Sequence, residues 1–107
     1  MKFSNWLEAM DNRVSNELID TLKRAKDRIG QYSSMDFKAA TDADAMLRGA
    51  RGYMRMSGNN DQEMVFNLTR LANTCNHLSH LDPNKREKIT TIQNDIDGLI
   101  AKLQATL

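Results

Sequence analysis

The chain has 107 residues and a mass of 12.2 kDa, the size of one domain with a single core. Hydrophobic residues make up 40% and charged ones 27%, which fits neither a disordered polyelectrolyte nor a membrane-embedded chain. The formal charge of +1 argues against a strongly basic nucleic-acid binder, and no apolar run approaches the roughly 20 residues that span a bilayer.

Cys75 is alone, so no internal disulfide framework exists and a reducing compartment is the simplest reading. The start, Met1-Lys2-Phe3-Ser4-Asn5-Trp6, turns polar too soon for a signal peptide. The expectation is a cytoplasmic protein with no membrane partner, of an economy that suits a bacterium or a virus infecting one. Aromatic residues are only 6%, so the core must be built from Leu, Ile, Met and Ala.

The first helix is expected from about Asn5 to Ile29. Asn5 and Glu8 have capping-box spacing. Leu7, Met10, Val14, Leu18, Leu22, Ala25 and Ile29 follow at intervals of three or four, which places them on one face. Gly30 then reads as the residue just past the helix, with Lys23, Arg24, Lys26 and Arg28 near its negative end.

A second helix fits about Ser34 to Met56, with the stripe Met35, Ala39, Ala43, Met46 or Leu47, Ala50, and Tyr53 or Met54. Thr41 and Asp44 resemble a second start signal, so a break near Thr41 is an alternative. Gly49 and Gly52 each cost on the order of 1 kcal/mol inside a helix. With Ala45 they form a strip of small residues that reads as internal close packing. Met35, Met46, Met54 and Met64 read as core, and Met56 as exposed.

Ser57-Gly58-Asn59-Asn60 is a turn by composition. Asn60 and Glu63 open a third helix whose stripe is Met64, Leu68, Leu71, Cys75 and Leu78, flanked by Val65 and Ala72. It is expected to end around His80 or Leu81. Asn67, Asn73, Asn76, His77 and His80 give it a polar, uncharged surface. Asp82-Pro83 then starts a fourth helix, since proline suits the first helical position. Within it Ile89, Ile92, Ile96, Leu99 and Leu103 occupy the a and d positions of a heptad, a seam that needs another helix to lie against.

These elements predict an all-α fold: one domain over 1–107, a small antiparallel bundle of about four helices. Two other arrangements keep the same helices. The long first and last helices can pair with the middle ones folded across them, or the last helix can dimerise with its copy.

No reactive constellation emerges. On a continuous helix Cys75 lies about 200 degrees around from His77, so Cys75, His77 and His80 cannot converge on one ion. No further Cys or His exists to complete a zinc site. Gly49-Ala50-Arg51-Gly52 lacks the Gly-Lys-Ser/Thr ending of a phosphate loop. The sequence therefore predicts no enzyme, no metal and no cofactor.

The leading expectation is a non-catalytic interaction module, an adaptor, inhibitor or assembly factor that recognises a protein partner or a second copy of itself. Its candidate interface is the last helix's seam: Ile89, Ile92, Ile96, Leu99, Ile100 and Leu103, with Leu107 beside it. The alternative is a nucleic-acid-binding domain. Arg48, Arg51 and Arg55 follow helical spacing as one ridge, Tyr53 is placed to stack on a base, and Lys23, Arg24, Lys26 and Arg28 extend the band if the first two helices are neighbours.

Overall fold

The computed structural model describes the backbone of residues 2–58 and 61–107, and the side chains of residues 12–58 and 61–107. Four helices follow in order: α1 (Lys2–Gly30), α2 (Lys38–Met56), α3 (Gln62–Asn76) and α4 (Lys85–Ala105). Among the described residues there is no strand, and the one sheet-like pairing is an isolated bridge between Ser33 and Asp36.

The helices form an antiparallel ring in which α1 packs on α2 and α4, and α3 closes the circle by touching both of them. Side-chain pairs fix the directions. Ser15 meets Thr106 and Lys26 meets Asp97, so α1 and α4 run opposite ways. Arg48 meets Asn73 and Arg51 meets Thr69 across α2 and α3. Arg70 meets Asp95 and Lys102 meets Glu63 across α3 and α4. Of the four neighbouring pairs, α3 and α4 touch least.

The stripes meet in one core. Leu18, Leu22, Ala25 and Ile29 of α1 are buried against Ala39, Ala43, Leu47, Ala50 and Met54 of α2 and Met64, Leu68, Leu71, Ala72 and Cys75 of α3. Burying each large aliphatic side chain contributes roughly 1.5–3 kcal/mol, and that term holds the bundle together. No polar or charged residue is buried among the described ones. Leu7, Met10 and the Asn5–Glu8 cap lie outside the described side chains, although the helix backbone begins at Lys2, ahead of Asn5.

Gly30 departs from its expected role. It is the last residue of α1 rather than a left-handed residue beyond it; Gly58 alone among the described residues has a positive φ, 78°. A Cβ on Gly30 would lie 2.7 Å from Nε2 of Gln93, whose amide donates to the Lys26 carbonyl at 3.2 Å. The glycine therefore makes room for α4.

The second helix starts at Lys38, not Ser34. Residues 33–36 instead close a small loop, in which the Asp36 N–H donates to the Ser33 carbonyl at 3.1 Å and the Met35 N–H to Ser33 Oγ. Arg28 clamps this loop, donating to Asp36 at 2.7 Å and to Asp42 at 2.9 Å. Met35 consequently leaves the core stripe and is 94% exposed. There is no break at Thr41, and Met56 is exposed.

At α3 the cap is Asp61, whose carboxylate accepts the Met64 N–H at 3.1 Å; the expected cap, Asn60, lies outside the described residues. The helix stops at Asn76, a turn earlier than expected. Leu78 folds inward, its N–H donating to the Cys75 carbonyl and its own carbonyl accepting from Tyr32 Oη at 3.3 Å. Pro83 also disfavours the helical region for Asp82. Asp82 then accepts the Asn84 N–H at 2.8 Å and holds Lys88, so α4 begins at Lys85 rather than Pro83.

Candidate functional site

The two sites suggested by the sequence fare differently. Ile89, Ile92, Ile96, Leu99, Ile100 and Leu103 are all buried inside this one chain, at 8% exposure or less. The seam is spent on α4's contacts within the bundle, and of the residues expected to widen it only Leu107 is exposed. Within the single chain these six side chains are core, and a partner would meet them only where the bundle opens.

The arginine ridge is divided. Arg48 donates to Asp44 on its own helix at 2.6 Å and to Asn73 on α3 at 2.8 Å, and Arg51 donates to Thr69 on α3 at 3.0 Å. Both serve as straps between α2 and α3. Arg55 and Tyr53 are exposed, and the Arg55 guanidinium bonds to no described residue. Of the extension expected from α1, Lys26 turns to Asp97 on α4 and Arg28 to Asp36 and Asp42, while Lys23 and Arg24 are exposed.

Ala45 and Gly49 are exposed and Gly52 half-exposed on the outer side of α2, and a Cβ on either glycine would meet nothing within 4 Å. The strip is therefore not a site of internal close packing.

Cys75 is fully buried, and that burial, with a smaller push from Asp44, raises its thiol to about 12. Such a thiol is neutral near pH 7 and a poor nucleophile. His77 follows the end of α3 with Nδ1 2.6 Å from the Asn73 carbonyl, and His80 sits on the next loop with its ring 4.6 Å from Phe37. Among the described residues no three His, Cys, Asp or Glu side chains are placed to hold a metal ion. No helix there is long and apolar enough to cross a membrane.

What the structure does assemble is a surface around the C-terminal end of α3. The α1–α2 and α3–α4 loops share one end of the bundle, tied by the Tyr32–Leu78 hydrogen bond and the Phe37–His80 contact. Met35 (94% exposed), Phe37 (50%) and Leu81 (80%) stand on these loops. Beside them is a recess of about 320 Å³ whose walls include Tyr32, Phe37, Ala40, Leu78 and His80.

A second recess of about 510 Å³ shares Leu78 and runs along α3 past Phe66, Arg70, Asn73 and His77 to Lys88. The surface is pinned electrostatically as well. The Arg28 guanidinium holds the Asp36 carboxyl below the usual carboxylate range, and Lys88, with the Asn84 N–H, does the same for Asp82.

Sequence reasoning missed this surface because it assigned Met35 to the core and carried α3 through His80. One signal pointed to it: of the run of Asn and His expected on the third helix, Asn73 and His77 line the larger recess and Asn76 and His80 the smaller one at the loops. No protein-family model, no curated protein and no solved structure matches the chain.

Proposed function

We propose that this chain is a non-catalytic protein-interaction module that engages its partner at the loop end of the bundle. One observation carries the reading. Met35, Phe37 and Leu81 are displayed to solvent on two loops that ion pairs and a cross-loop hydrogen bond hold in place, while the core beneath is closed. Large apolar side chains exposed at one end of a molecule, one of them (Phe37) lining a recess, suit a protein-binding surface better than scattered ones do. A rigid loop end also costs little ordering entropy when a partner arrives.

The test is site-specific photocrosslinking in the native host. A crosslinker at position 35 or 81 is expected to give a discrete adduct, and one at Ala101, on the exposed side of α4, is not. Leu81→Glu is expected to abolish the adduct formed from position 35 while leaving the helical circular dichroism spectrum unchanged. Equal labelling from all three positions would refute the proposal. Light scattering on the purified chain distinguishes a second copy from a different protein as the partner.

A further inference from the structure

The larger recess has a chemistry of its own. It runs along α3 and meets α4 at Lys88, and a smaller recess of about 320 Å³ prolongs it into the loosely packed α3–α4 crevice, where Glu87 and Asp95 stand beside Arg70 and Lys88. Its apolar wall is Phe66, 66% exposed, together with the half-buried Leu78.

Its charged and titratable walls are Arg70, His77 and Lys88, and none of its lining residues is acidic. The Thr69 and Thr74 hydroxyls donate back to the carbonyls of Val65 and Arg70, so the strong donors left for a ligand are Arg70, Lys88 and the Asn73 amide. On α3 the lining residues recur at helical spacing over three turns, which forms the kind of ridge-bordered channel that another helix fits.

Arg70 and Lys88 already have carboxylate neighbours, Asp95 at 3.3 Å and Asp82. Both cations are about half exposed, and surface pairs of this kind contribute only about 0–1 kcal/mol, so an incoming carboxylate competes with them readily. Lys85 and Arg86 on the first turn of α4 add positive charge without ion-pair partners among the described residues, against Glu87 beside them.

We propose that the α3–α4 crevice receives an acidic amphipathic helix of the partner protein. An apolar side chain packs on Phe66 and Leu78, and flanking carboxylates meet Arg70 and Lys88. The inference rests on the interaction reading above and gives its ligand a chemistry.

The experiment uses the full chain and two fluorescent amphipathic peptides with the same Leu/Phe face, one flanked by Glu and the other by Lys. Anisotropy is expected to show about tenfold tighter binding of the Glu peptide, a gap that narrows as salt rises. Arg70→Glu with Lys88→Glu is expected to invert the preference, and Phe66→Ala to weaken the Glu peptide about tenfold. Circular dichroism confirms that each variant folds.

Equal binding of the two peptides would overturn the acidic-ligand inference and leave the interaction reading standing. Binding of neither peptide would overturn it as well, and the crosslinking result then decides the broader reading by itself. Co-sedimentation with phosphatidylglycerol-containing vesicles, without binding of the Glu peptide, would replace the protein ligand by an anionic membrane surface.

Discussion

Gly49 and Gly52 sit inside α2, where glycine costs 0.8–1.0 kcal/mol relative to alanine for backbone entropy alone. Tertiary packing normally decides whether that cost can be recovered, and here the answer is on the surface. A Cβ at either position meets nothing within 4 Å, and the backbone at both is ordinary right-handed helix. The double variant Gly49→Ala/Gly52→Ala should therefore gain close to the full propensity difference, about 2 kcal/mol.

At ~2.1 cal/mol/K of unfolding entropy per residue, a chain of this length shifts Tm by about 4–5 °C per kcal/mol, so the double variant should melt about 9 °C higher. Two other glycines supply the controls. Gly30→Ala must displace the Gln93 amide and its hydrogen bond to Lys26, which should cancel most of the propensity gain. Gly58→Ala places a side chain at φ 78° and should cost about 1 kcal/mol. The assay is reversible thermal melting followed at the helical circular dichroism band. A double variant that melts no higher than the parent would refute the reasoning, because it would mean that these glycines are needed within the folded monomer.

Other outcomes follow from the core and the loops. Ile96→Ala removes a fully buried side chain at the centre of the seam and should cost about 2–5 kcal/mol by urea titration. Asp61→Ala leaves the Met64 N–H without its cap and should cost about 0.5–2 kcal/mol in the same assay. Cys75 should resist a thiol reagent in native buffer and react on unfolding, which a colorimetric thiol assay reads directly. Arg48→Ala and Arg51→Ala should each lower stability by less than about 1 kcal/mol, since both are partly exposed straps, and should leave any affinity for single-stranded DNA unchanged in a salt-titrated anisotropy assay.

Acid sensitivity has a defined sign. The folded-state acidities of Asp36 and Asp82 are shifted below the ordinary 3.8 by Arg28 and Lys88, so their contribution to stability is complete above that pH and is lost as pH falls further through the folded values. Asp36→Asn with Asp82→Asn should flatten the stability profile below about pH 4 and leave its neutral-side slope unchanged.

How much of this was readable in the chain depended on the range of the interactions involved. Leu18, Leu22, Ile29, Leu68, Leu71 and the α4 isoleucines declare their burial by spacing alone, because the helical period is local. The helix ends did not declare themselves. Ser34 looked like a start, but the preceding segment is held by Arg28, which reaches from α1 to Asp36 and Asp42. His80 looked helical, but α3 is stopped where Tyr32, far back in the sequence, takes the Leu78 carbonyl. The glycine strip on α2 and the close approach at Gly30 have the same residue type and opposite environments, and only the positions of neighbouring helices separate them.

The α4 seam shows why an apolar pattern locates a contact without saying whose contact it is. Six apolar residues on one face satisfy a partner chain and an intramolecular neighbour equally well, and here the bundle itself takes them. With that seam occupied, the partner proposed above would draw its binding energy from surface the bundle leaves open. The crevice between α3 and α4 is where the bundle gives up least by admitting something else. Its walls touch least, and the pairs bridging it, Arg70–Asp95 and Lys102–Glu63, are exposed and worth little. A ligand there displaces weak ion pairs and no core side chain, whereas one lodged at the α4 seam would have to unpack Ile92 and Ile96.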